Sequence, residues 1–430
     1  MLSRRHWLVS VATALTWLGS FAADSAFAQA SAPAGAAVVP TVQIANLMEL
    51  TGAGAKAGVS FHNGVQLAVK ELNAAGGLLG RRIETKTYDT QSKPAVAVSL
   101  AQKVVNEGVF AVFGPVFSGS IMLSMAETRR GEVPNFTGGE AAAISQQGNP
   151  YIFRTSFTQA IAMPKVAYYI SERAHYKSLA IIYVNNDFGK GGLEMLRRAL
   201  SGSSTGILAE VSTDSGQTDF AAAVTAAIGS KPEAIFVYSN EAECARILVE
   251  LRKQGWTLPI IGETTLTGQQ VIDLAGAAAN GAIAHVGLTV DAPIPEVRAF
   301  RASYERDYKT TPDHNAMKGY SGMWVLKAAV DKAGRLDRKL VARALKGLKV
   351  NVRSYPGALM YTEFDQKGDL DRMSFLVRVT DGHQEVLEFM PPLASILNSR
   401  PMTMQPAPSA ASMAKVVGAA KPASAPAKKP

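Results

Sequence analysis

The sequence predicts an α/β protein built from two doubly wound, Rossmann-like units. Three observations carry this. Short apolar strands alternate with helices over residues 41–140. The same alternation starts again near residue 178 and runs to 275. The strands repeatedly end on small, polar, Gly-rich loops. Alternation of this kind argues for a mostly parallel sheet with helices on both faces. The 430 residues leave room for two or three units of ~150 residues each. Ligands bind such sheets off the carboxyl ends of the strands, so those loops are where a site is expected.

The first 28 residues stand apart. Arg4 and Arg5 precede an uncharged run over 6–23, and Ala26-Phe27-Ala28 fits an A-x-A cleavage site. This is a secretory signal peptide with cleavage expected after Ala28. The run is short for a membrane span. Ser3-Arg4-Arg5-His6-Trp7-Leu8 also fits a twin-arginine signal, so both export routes stay open. No Cys follows the run, so a lipoprotein is not expected. Residues 29–40 are Ala/Pro-rich and read as a flexible leader.

The first unit opens with a strand over 42–47 and a Gly-rich loop over 52–58. A helix over 59–75 carries Phe61, Val65, Ala68 and Leu72 on one face, and Gly76-Gly77 cap it. A strand over 83–88 ends on Asp89. Pro94 suits the first turn of a helix reaching residue 106. Residues 111–113 form a strand that stops at Gly114-Pro115, because proline cannot donate to a ladder. Ser118-Gly119-Ser120 then opens a helix. The strand over 133–136 ends on Thr137-Gly138-Gly139-Glu140.

The second unit reads as strands over 178–184, 206–211, 234–238 and 259–261, with helices over 163–173, 192–200, 219–228, 241–254 and 268–275. Residues 281–288 look like another strand. Residues 295–308, 315–332 and 338–346 look helical. Residues 357–364, 375–379 and 386–389 read as antiparallel strands. From Arg400 onward, Pro, Ala, Ser and Lys dominate, which reads as a disordered tail.

Several chemistries are weighed and set aside. The net charge of +9 includes Arg400, Lys415, Lys421, Lys428 and Lys429, with no acid after Glu388. The body therefore lacks the concentrated basic stripe of a nucleic-acid surface. Cys244 is the only cysteine, so no intramolecular disulfide forms, and the residue reads as a small helix-face side chain. GAGAKAG (52–58) is spaced G-x-G-x-x-x-G, and Asp89 lies too far on for a dinucleotide fingerprint. It reads as a tight turn that still borders a ligand. The G-x-S-x-G match at 202–206 has a helix before it and a strand after it, the reverse of a nucleophile elbow. The six histidines are scattered, so no metal site, cofactor or catalytic group is expected.

The site candidates lie at strand ends. Ser118 begins a helix whose first N–H groups suit a carboxylate, or it only caps that helix. Thr137, Gly138, Gly139 and Glu140 allow close backbone approach. Glu140 meets a ligand cation or hydroxyl, or is a charge favourable at a helix start. Asp187 and Phe188 end a strand of the second unit, where Phe188 stacks on a ligand or packs under its loop. Asn240, Glu241, Thr264 and Thr265 follow two further strands of that unit.

Together these blocks resemble a known family. They include Gly64-Val65-Gln66-Leu67-Ala68-Val69, Asn73-Ala74-Ala75-Gly76-Gly77-Leu78-Leu79-Gly80-Arg81, Tyr88-Asp89, Pro94-Ala95 and Gly114-Pro115 with Ser118. Phe153-Arg154-Thr155, Asp187-Phe188-Gly189, Asp219-Phe220 and Phe364-Asp365-Gln366-Lys367-Gly368-Asp369 continue the series. The chain from 41 to 389 is similar to type I periplasmic solute-binding proteins of ABC transporters, in the Leu/Ile/Val-binding group. The resemblance implies two lobes joined by three crossovers. Lobe one would hold 41–157 and 283–350, lobe two 158–282 and 351–392, and the tail 393–430. It implies a periplasmic, monomeric, non-enzymatic protein that closes on a small-molecule ligand and hands it to ABC permease subunits in the inner membrane. Ser118 and the Gly139-Glu140 loop would hold the ligand's α-carboxylate, and Phe188 would lie over the ligand. Asn240 or Glu241 and Thr264 would come from the second lobe. The chain departs from the amino-acid binders in having Glu140 where they have Thr. It also has Thr264, with Glu263 adjacent, where they have the Glu that meets the ammonium. An amino acid, an amide or an organic carboxylate all suit the site. A ligand-sensing receptor of the same fold and a periplasmic nucleotide-dependent oxidoreductase are the alternative readings.

Overall fold

The computed structural model describes residues 40–398. The expected signal peptide, almost all of the leader, and the tail from 399 onward lie outside the described residues. Chain order in the first lobe is β1 (Thr41–Met48), α1 (Ala55–Ala74), β2 (Arg82–Asp89), α2 (Pro94–Asn106), β3 (Ala111–Phe113), α3 (Ser118–Arg130), β4 (Asn135–Thr137), α4 (Ala143–Gln146) and β5 (Ile152–Arg154). The second lobe follows with α5 (Gln159–Tyr168), β6 (Ser178–Val184), α6 (Asp187–Leu200), β7 (Gly206–Thr213), α7 (Ala221–Gly229), β8 (Ala234–Tyr238), α8 (Glu241–Lys253), β9 (Ile260–Glu263), α9 (Gln269–Ala275) and β10 (Ile283–Val286). The chain returns through α10 (Pro295–Tyr308), α11 (His314–Ala333), α12 (Arg338–Leu345), β11 (Lys349–Val350), β12 (Thr362–Phe364) and β13 (Leu370–Asp371). It ends with β14 (Ser374–Thr380), β15 (His383–Met390) and α13 (Leu393–Asn398).

The first sheet has the order β2-β1-β3-β4-β5 and is parallel throughout. The second has the order β15-β14-β10-β9-β8-β6-β7, with β14 and β15 antiparallel at one edge. Alternate residues of β6 feed different cores. Ala180 and Ile182 pack under α7 and α8, while Leu179 and Ile181 pack under α5 and α6. This two-sided burial is what a doubly wound sheet requires, and it is why SLAIIYV is apolar almost without a break.

The lobe boundaries differ from those expected. Residues 283–286 belong to the second sheet, because β10 pairs with both β9 and β14. Residues 351–371 belong with the first lobe. There β12 pairs with β11 and β13, and Phe364 closes a row of rings running Phe113, Phe136, Phe153, Phe364. The three crossovers are therefore 155–158, 287–294 and 372–373. Residues 393–398 form a helix whose Ile396 is buried, so the tail expected from 393 starts too early.

Two close approaches place the site. Helices α1 and α11 cross where a Cβ on Gly64 would lie 1.9 Å from the Ala316 carbonyl oxygen, and one on Gly319 would lie 2.1 Å from that of Phe61. The start of α11 is fixed by Asp313, whose Oδ1 accepts from Ala316 N at 2.9 Å and from Ser60 Oγ at 2.5 Å. Both contacts hold His314, Asn315 and Lys318 against the strand ends of the first sheet.

Candidate ligand-binding cleft

The chain reverses its direction across each sheet between β1 and β3 in the first lobe and between β6 and β8 in the second. Ligands lie at such switch points. A cavity of about 250 Å³ opens there, with walls from both lobes.

The wall of the first lobe starts from Glu49, buried at the end of β1. Its two oxygens accept from Val116 N and Phe117 N at 3.0 and 3.1 Å. Burial pushes its carboxyl up, and those two amides hold it back. The loop after β3 is thereby fixed, and α3 starts at Ser118 with its first N–H groups lacking helical acceptors. The Ser118 hydroxyl oxygen accepts from Ala141 N at 3.2 Å and keeps its own proton to donate. Gly139 faces it. A Cβ there would lie 2.4 Å from Ile121 Cδ1 and 3.2 Å from Ser118 Oγ, so any larger residue would have to displace the Ile121 side chain. Buried Arg154 braces the loop from behind, donating to the carbonyls of Gly139 and Ala141 at 2.6 and 2.7 Å and pairing with Asp369.

Glu140 lines the cavity and carries a partner that the sequence did not suggest. Its carboxylate is buried and paired with Lys318 Nζ at 2.9 Å. Lys318 also donates to the Gly138 carbonyl at 3.4 Å. Tyr238 of the second lobe donates to the other Glu140 oxygen at 3.5 Å. Burial pushes the Glu140 carboxyl up to about 7, with Lys318 opposing and Glu263 adding to the rise. Glu263 is itself buried, accepts from Thr264 Oγ1 at 2.7 Å, and lies 3.2 Å from His285 Nδ1.

The wall of the second lobe is looser. Asn186 caps α6 by accepting from Gly189 N at 3.0 Å, so Asp187 and Phe188 are the first helical turn rather than the expected loop. Phe188 lies where both expected alternatives placed it, between its own lobe and the cavity. Its ring stacks on Tyr238 at 4.2 Å, and it also lines the cavity. Glu241 begins α8, and its Oε1 accepts from Asn315 Nδ2 of the first lobe at 3.3 Å. His314 Nε2 lies 3.6 Å from the same oxygen. Burial, with Lys318 beside it, drives His314 well below its ordinary range, so the ring is neutral.

Ser118, Gly138, Gly139, Glu140, Asp187, Phe188, Asn240 and Glu241 all line the cavity. Thr137 does not, and Thr264 lines only a smaller pocket that shares Glu140, His314 and Lys318 with the cavity. Thr137 ends β4 with its hydroxyl buried and without a partner among the described residues, and Thr264 is turned to Glu263. Thr265 takes the place on the wall. Ala57 also lines it, but from the first turn of α1, which starts at Ala55, so the loop expected over 52–58 is helical in its second half. Lys318, His314, Asn315 and Ser120 also line it, and none of them was among the site candidates. The one available signal was a lysine between Met317 and Tyr320 in an otherwise core-like helix.

Comparison with known proteins identifies the family of the chain. A family model described as periplasmic binding protein matches residues 41–384. The chain is 25% identical over 338 residues to the leucine-, isoleucine-, valine-, threonine- and alanine-binding protein of Pseudomonas aeruginosa, covering 78% of this chain and 89% of that one. It is 28% identical over 349 residues to the Leu/Ile/Val-binding protein BraC3 of Rhizobium johnstonii, covering 78% and 90%. The structure of LivJ from Streptococcus pneumoniae with isoleucine superposes with a TM-score of 0.74 at 26% identity, covering 82% and 100%. The chain belongs to the periplasmic binding protein family.

Proposed function

We propose that the protein is the solute-binding component of an ABC importer. It captures a small organic solute bearing a carboxylate between its lobes and delivers it to a membrane permease. The observation that carries this reading is the polarity of the cleft. One wall offers the α3 start and the Ser118 hydroxyl to an anion, and the facing wall offers Asp187, Glu241 and two amides to a donor or cation. The first lobe binds first, and the second closes by hinge motion at the crossovers. No step of bond chemistry is called for, and delivery takes place in the periplasm after removal of residues 1–28. The solute is an amino acid, an amide or an organic carboxylate. Glu140 is already paired with Lys318, which separates this cleft from one that leaves an acid free for an ammonium.

A thermal-shift screen of such solutes on protein stripped of ligand, followed by calorimetry, tests the reading. A micromolar solute, at about −8 kcal/mol, is expected from one of these classes. No binding across the panel would count decisively against it.

A further inference from the structure

Beside the cleft, sharing Glu140, His314 and Lys318 with it, lies a small annex of about 10 Å³, the space of roughly one water-sized particle. All three crossovers contribute to its wall, through Ser156, Gly287 and Arg372, alongside Glu140, Lys318 and His314. Arg372 is 3% exposed. Its Nη1 donates to Thr362 Oγ1 at 3.0 Å, and its Nε has no partner among the described residues. The neighbouring acids are engaged elsewhere, Asp369 with Arg154 and Asp371 with Lys165. The Phe157 ring lies 5.9 Å from the guanidinium carbon, at the outer limit of a cation–π contact. His314 is neutral, and Lys318 is paired with Glu140, behind which lies Glu263, so Arg372 is the lining cation without an ion-pair partner among the described residues. A buried charge without a counter-charge is among the costliest features a fold can carry. Burial accordingly pulls the Arg372 guanidinium down to about 10, with no acid opposing it.

We propose that the annex is an anion site walled by Arg372 and Lys318, which takes one compact negative group. That group is either a halide or an acidic terminus of the bound solute. The second source rests on the solute-binding reading above, whereas the first does not. An anion held here ties the three crossovers together and stabilises the closed lobes.

The test uses the full chain. Crystals grown with sodium bromide are expected to show an anomalous peak between Arg372 and Lys318 if the source is a halide. Thermal unfolding at fixed ionic strength should then give a midpoint several degrees higher in chloride than in gluconate, which is too large for the annex. That difference should vanish in Arg372→Gln. If the solute is the source, bromide gives no peak. A diacid then binds at least about tenfold tighter than the matching monoacid, a gap of 1.4 kcal/mol, and Arg372→Gln abolishes the gap. Arg372→Lys keeps the charge should the glutamine variant not fold, and the bromide measurement needs no variant. A peak without any salt dependence of the midpoint marks an adventitious ion only and overturns the proposal. Salt-independent unfolding together with equal diacid and monoacid affinities also overturns it. Bromide binding in a protein that binds no solute would leave the annex standing and remove the transport reading.

Discussion

The two walls of the cleft follow different rules. On the first lobe, Ser118, Gly139, Glu140 and Lys318 are buried and tied to partners within their own lobe, with only the longer Tyr238 contact reaching Glu140 from the second. On the second, Asp187 is exposed and Phe188 half-buried, and Glu241 finds Asn315 and His314 only across the cleft. One wall is organised before the lobes meet, and the other is completed by their meeting. Preorganised donors cost nothing further when a ligand arrives, so affinity should reside in the first lobe and closure in the second.

The contrast breaks most severely at Lys318. Lys318→Met leaves the Glu140 carboxylate buried and alone, and should cost about 3–5 kcal/mol of stability. The pair Glu140→Gln with Lys318→Met should recover most of it. Urea unfolding of the three proteins measures this.

Proton linkage comes next. A carboxyl whose pKa is raised by folding stabilises the fold while protonated. The Glu140 contribution is therefore complete below 4.5 and is lost as pH rises to about 7. At about 1.4 kcal/mol per pK unit, the loss approaches roughly 3 kcal/mol. Glu49, Glu241 and Glu263 are shifted the same way, so Glu140→Gln should flatten the fall in melting temperature over this window without removing it. A smaller effect follows from crowding. Gly139→Val forces Ile121 and the Ser118 loop apart, and should cost about 1–3 kcal/mol with a clear loss of solute affinity by calorimetry. Smallest of all is Thr264→Val. Thr264 is off the main cavity and lines only the annex, with its hydroxyl turned to Glu263, so the affinity of a monoacid solute should not change measurably even where stability drops slightly.

The sequence made the strand ends legible, because Gly-rich and Ser-rich loops after apolar runs have a local cause. SLAIIYV and its strand partners were readable for the same reason. Partnerships at long range were not. Lys318 pairs with Glu140 across 178 residues, and nothing local marks it apart from its place in a buried helix. The strand at 283–286 was read as a strand but placed in the wrong lobe, because its neighbour β14 comes later in the chain and hydrogen-bonding order leaves no trace in periodicity. Thr264 and Thr265 were read together at one strand end, and the short helical turn over Thr264–Thr267 sends them to different places, Thr265 to the main cavity and Thr264 to the annex, a division that periodicity does not reveal.

The most direct test of the asymmetry is calorimetric titration of one identified solute into ligand-free wild type, Ser118→Ala and Asp187→Asn. Ser118→Ala removes a hydrogen bond to a charged group, about 1.5–3 kcal/mol, and should weaken binding by about tenfold or more. Asp187→Asn alters an exposed charge, worth about 0–1 kcal/mol, and should change affinity only a few-fold. A large loss at Asp187 with little change at Ser118 would contradict the account.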